Sequence, residues 1–159
     1  MLILVEGLAM CFLLLFVCVV GISNGPVGSV YFYEQDVQDR VVELGLTTKE
    51  KIKRGHAIAG IAILIPVVFF VPAMVYFING ARDFEEIFWQ ITAILMIEGL
   101  FDRIFIDWYW VGKTKAWIIP STEELMPYIP KKTFVKKWVG TIVGYPIVAA
   151  ILSAIMTLF

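Results

Sequence analysis

Long uncharged stretches alternate with charged ones along this chain, and their lengths match the thickness of a bilayer. Crossing about 30 Å of hydrocarbon takes about 20 mostly apolar helical residues. Four stretches meet that length. Residues 1–22 are interrupted by Glu6 alone, and 56–79 carry no formal charge after His56. Residues 87–111 are apolar except for Glu98, Asp102, Arg103 and Asp107, and 138–159 are uncharged throughout. At 1.5 Å per residue they reach roughly 33 to 37 Å, enough to span with some tilt. The pattern predicts an all-α integral membrane protein, a four-transmembrane-helix bundle forming one membrane domain over residues 1–159. No Lys or Arg precedes Arg40, and the first apolar run exceeds that of a secretory signal, so it reads as a retained span.

The links set an orientation. Eleven of the thirteen basic residues fall in the connections 23–55 and 112–137, whereas the link 80–86 holds Arg82 against Asp83, Glu85 and Glu86. The positive-inside rule makes the two long loops cytoplasmic and puts both termini outside, in a plasma or inner membrane. Short interfacial helices are expected in both loops. Asp36–Leu44 mixes charges with Val37, Val41 and Val42 and stops at Gly45. Thr47 and Glu50 fit a capping box that starts a helix running through Lys51–Arg54 into the second span. Ser121 and Glu124 fit another, cut short by Pro127 and Pro130. Pro66, Pro72 and Pro146 predict kinks with freed carbonyls in the second and fourth spans.

Composition agrees with this picture and narrows it. The chain is 60% hydrophobic and 17% charged, where soluble domains run near half and about a quarter. A water-soluble globule and a disordered chain are excluded, and two cysteines rule out a disulfide scaffold. No motif for ATP, dinucleotide, serine-hydrolase, zinc-peptidase or kinase chemistry occurs. One His and two distant Cys make no metal set, so neither metal nor cofactor is expected, and nothing points to nucleic acid.

The third span carries the candidate chemistry. At 100° per residue, Glu98 and Asp102 lie within about 40° of each other, and Arg103 and Asp107 form a second i,i+4 pair. Asp102 and Asp107, five apart, are expected on different faces. Glu98 lies roughly 16 Å into the span, near the midplane. Charge there is costly, so such groups normally face protein or water. The candidate catalytic groups are Glu98, Asp102, Asp107 and His56, although His56 also suits a helix start at the interface. Arg103, Trp108, Tyr109, Trp110, Lys113 and Lys115 are candidates for substrate binding, an aromatic wall flanked by lysines that suits an anionic amphiphile. The same charges suit a buried network that locks helices together, and the same aromatics suit an interfacial belt.

Three functions follow, and whether the chain is an enzyme stays open. The first is a polar site open to the cytoplasmic leaflet that binds, modifies or moves an amphiphilic, lipid-like substrate. The second is a proton- or ion-coupled small transporter acting as an oligomer. The third is a non-catalytic assembly subunit. Membrane lipids are the expected partners. A second copy or another membrane protein is expected along the small-residue ridge Gly140, Gly144, Ala150 and Ala154.

Overall fold

The computed structural model describes residues 1–158 and is all-helical among them. Phe159, the end of the fourth predicted span, lies outside the described residues. The chain opens with α1, Leu2–Ile22, and a 3₁₀ turn over Pro26–Phe32. A short amphipathic helix α2, Gln35–Glu43, follows and buries Val37 and Val41. Gly45, at φ +69°, then turns the chain out of the helix. The long helices are α3, Lys49–Ile78, and α5, Lys131–Met156. Between them, α4, Phe84–Phe101, runs unbroken into a π-helical segment over Asp102–Val111.

α1, α3 and α5 are each long and apolar enough to cross a membrane. Beyond the charged starts of α3 and α5 (Lys49–Arg54 and Lys131–Lys137), their outward faces are apolar, with Phe12, Phe16, Ile61, Phe69, Ile147 and Ile151 among the exposed residues. Soluble monomers rarely show so extended an apolar surface, and a membrane protein needs one. α4 also carries Glu85, Glu86, Glu98, Asp102, Arg103 and Asp107. It packs between α1 and α5, and Ile87, Ile91, Ile94 and Leu95 on it are fully buried.

Glycines set how closely these helices approach. A Cβ on Gly7 would meet Ile97 at 2.7 Å, and one on Gly99 would meet Thr141 and Tyr145 at 2.6 Å. Two core clusters result. One joins Met10, Val71, Ile87, Ile91 and Leu152, with both Ile3 and Met156 packed on it, so the two ends of the chain share one end of the bundle. The other joins Leu14, Cys18, Val37, Ile106, Trp117 and Tyr128 under the two long connections.

Several predicted boundaries move. The helix expected to run through Lys51–Arg54 into the second span forms, as α3 from Lys49, but its cap is Thr48 rather than Thr47, the Thr48 hydroxyl accepting from the Lys51 N–H at 3.3 Å. α5 starts at Lys131, just after Pro130, so Lys131–Lys137 belong to a helix and not to the loop. The capping box expected at Ser121 does not form. Ser121 sits at φ +66°, the Thr122 hydroxyl turns to the Ile119 carbonyl at 2.9 Å, and only a single 3₁₀ turn over Glu123–Leu125 follows.

The prolines act by widening the helix. A proline lacks the N–H for an i→i−4 bond and its ring crowds that carbonyl. Pro66 opens a π-segment over Pro66–Phe70, and Pro72 precedes a second over Met74–Ile78. Pro146 lies two residues past the end of a third, Gly140–Gly144.

A charged cavity at the loop end of the bundle

Where α4 becomes a π-helix, the spacing rule changes. Bonds from i to i+5 bring residues five apart onto one side, so Asp102 and Asp107 converge instead of diverging as α-helical spacing predicts. Both bind Arg103, Asp107 at Nη1 and Asp102 at Nη2. Lys137, brought in by the early start of α5, donates from Nζ to the other Asp107 oxygen at 2.8 Å. Arg103 and Asp107 are 8% and 5% exposed.

These four side chains line a cavity of about 200 Å³. Leu14, Ile63, Ile106 and Val111 make its apolar wall, and Phe32, Tyr33, Trp117 and Ile129 from the two long connections also line it. The connections are clasped together there. The Tyr33 hydroxyl donates to the Trp117 carbonyl at 2.7 Å, and Arg40 lies 3.5 Å from Glu124. Burial pushes the Tyr33 phenol above its ordinary range, so its O–H remains a donor well into alkaline solution. Behind it, Tyr128 packs edge-on against Tyr33 and shares a 2.8 Å bond with Thr122.

Glu98 is buried one turn away and does not line this cavity. Its Oε2 accepts from the Tyr145 hydroxyl at 3.0 Å. Beside it, walled by Met10, Leu14, Ile63 and Pro66, is a void of about 10 Å³, room for about one water. His56 is exposed and faces a different groove, with Gln38, Asp39 and Lys53. Trp108 and Tyr109 turn outward, and Lys113 stacks over the Trp108 ring at 5.7 Å. Lys115 is exposed as well. Trp110 packs edge-on against Trp117, beneath the loops. Of the predicted binding residues, the cavity therefore gathers Arg103 alone, together with the candidate acids Asp102 and Asp107.

Sequence reasoning missed Tyr33, Trp117 and Lys137, which reach the cavity from separate segments of the chain, and Cys18 on α1, which also lines it. The cue available for Trp117 was an aromatic inside a lysine-rich loop, which the belt explanation absorbed.

A second polar cluster lies toward the chain ends. Glu6, 5% exposed, accepts from Asn79 Nδ2 at 3.0 Å, and the same amide donates to Gln90 at 2.8 Å. No group of His, Cys, Asp and Glu suited to a metal ion occurs among the described residues. No family model matches the chain, and no curated protein or solved structure matches it significantly.

Proposed function

We propose that the chain is a four-span membrane protein whose loop-end cavity binds, modifies or moves an amphiphilic, lipid-like molecule. In this reading α4 is the fourth span, the clasped connections face the cytoplasm, and both termini lie outside. The carrying observation is one cavity in which a four-charge cluster meets an apolar wall, inside a bundle whose exterior is apolar. An amphiphile is the kind of molecule that meets both demands, with its polar part at Arg103 and Asp107 and its chain along Leu14, Ile63 and Ile106. Eleven basic residues in or beside the two connections support the orientation.

Cavity filling tests the proposal. Ile106 is 4% exposed and lines the cavity, whereas Ile104 is 52% exposed on the same segment. Native mass spectrometry of the protein purified from membranes is expected to show a retained lipid-sized adduct. Ile106→Trp is expected to reduce that adduct at least tenfold and Ile104→Trp to leave it, with helical content unchanged in both. Equal retention in the two variants overturns the proposal.

An assembly role draws on a different observation. A Cβ on Gly140 or Gly144 would meet nothing within 4 Å, so this part of the small-residue ridge is not used inside the molecule. Sedimentation of the purified protein as a monomer at high protein-to-detergent ratio overturns self-assembly through the ridge, and an unchanged set of co-purified membrane proteins for Gly140→Leu combined with Gly144→Leu overturns assembly with another protein.

A further inference from the structure

A groove between α2 and the first turns of α3 shares no lining residue with the loop-end chamber. We infer that it seats the head of an anionic phospholipid, whose phosphodiester is held by Lys49 and Lys53. The groove holds about 540 Å³, within the 300–1,000 Å³ typical of ligand pockets. Lys49, Lys53 and His56 line it from α3 at helical spacing, and all three are exposed. Helix residues four apart stand about 5–6 Å from each other on one face, so the two ammonium groups can converge on one phosphate. Neither enters an ion pair among the described residues. α2 supplies the opposite wall, where Gln38 is anchored by a 2.8 Å bond from its Nε2 to the Tyr33 carbonyl. Beside it Gln35 donates to Asp39 Oδ1 at 3.0 Å, which leaves Oδ2 of the exposed Asp39 open.

Charge and position choose the guest. Two ammonium groups against the one carboxylate of Asp39 leave an excess of one positive charge, which the single negative charge of a phosphodiester balances. Asp39 then meets the part of the head beyond the phosphate, where hydroxyls such as those of a glycerol ester find an acceptor. A membrane supplies such a molecule at this level. The lysines precede the apolar run that begins after His56, in a helix long and apolar enough to cross, and basic residues placed there attract anionic lipid. Past the lysines the same face of α3 continues as Ala57, Gly60, Ile61 and Leu64, all exposed. A Cβ on Gly60 would meet nothing within 4 Å, so the small residues leave a furrow for an acyl chain.

The test titrates the purified full-length protein in detergent with dioleoyl phosphatidylglycerol and dioleoyl phosphatidylcholine, and reads bound lipid by native mass spectrometry. Phosphatidylglycerol is expected to bind about tenfold more tightly than phosphatidylcholine. Lys49→Gln combined with Lys53→Gln is expected to abolish that preference, at about fivefold for each lysine lost. Lys131→Gln combined with Lys132→Gln removes as much charge from another exposed helix start and is expected to keep it. Gly60→Leu, which fills the furrow and leaves every charge in place, is expected to weaken phosphatidylglycerol severalfold. Ile106→Trp is expected to leave the preference intact, since the chamber is a different site. No preference in the unaltered protein overturns the proposal. So does equal loss in the two lysine pairs, which reduces the attraction to general surface charge, and so does loss in Ile106→Trp, which moves it to the chamber. Unchanged binding in Gly60→Leu overturns the seating of the chain. Competition by excess glycerol 3-phosphate makes the site one for a free phosphate and overturns the lipid. Absence of the preference leaves the amphiphile reading standing, because that reading is tested by the adduct lost in Ile106→Trp.

Discussion

Arg103 holds two carboxylates that ordinary α-helical spacing would keep on different faces. Its environment makes the pair with Asp107 sensitive to one-sided change, because removing one member of a buried ion pair strands the other. Asp107→Ala deprives both Arg103 and Lys137 of a partner and is expected to cost about 3–5 kcal/mol, read as a lower thermal midpoint in detergent. Arg103→Met combined with Asp107→Leu removes both sides of the pair and is expected to be less destabilising than Asp107→Ala alone. If the double variant is the worse of the two, the Asp102 and Lys137 charges it leaves without their partners outweigh the loss at Asp107 alone. At this scale the sequence made the Arg103–Asp107 pair legible, since both α- and π-helical turns allow an i,i+4 contact. It did not reveal that Asp102 joins them, because that depends on the width of the helix. Nor did it assign Glu98 its partner: Tyr145 lies 47 residues away, and only tertiary packing brings the two together.

Among the elements, the long apolar helices followed directly from the sequence, because run length alone separates a spanning helix from a soluble one. The helix through Lys51–Arg54 was legible too, from the capping pattern at Thr47 and Glu50, with the cap itself one residue later at Thr48. The start of α5 was not, because Lys131–Lys137 look like loop by charge, yet a helix begins just after Pro130. The small-residue pattern also misdirected attention within α5. Gly140 and Gly144 are open, while the close approach between α4 and α5 occurs at Gly99. Gly99→Ala is therefore expected to destabilise the bundle by about 1–3 kcal/mol through overpacking against Thr141 and Tyr145. Gly144→Ala is expected to be neutral or slightly stabilising, since it adds helix propensity in open space. Thermal unfolding of the two variants side by side decides the point, and equal midpoints would contradict the packing described here.

For the molecule as a whole, the placement of α4 explains how one chain carries so apolar an exterior and so charged an interior. The helix with the acidic and basic groups packs between its neighbours, and the outward-facing apolar positions of α1, α3 and α5 form the surface. Four spans require Glu85 and Lys115, both exposed, to lie on opposite sides of the membrane. With Cys11→Ala and Cys18→Ala as background, an impermeant maleimide is expected to label Glu85→Cys in intact cells and Lys115→Cys only after lysis. Labelling of both under the same condition excludes α4 as a span. The bond from Tyr33 to Trp117 has a consequence at this scale too. It ties the segment between α1 and α3 to the segment between α4 and α5, so neither flap lifts independently. Widening the chamber from that end means parting the molecule into halves like a clamshell, with the phenol-to-carbonyl latch and the Arg40–Glu124 pair giving way together.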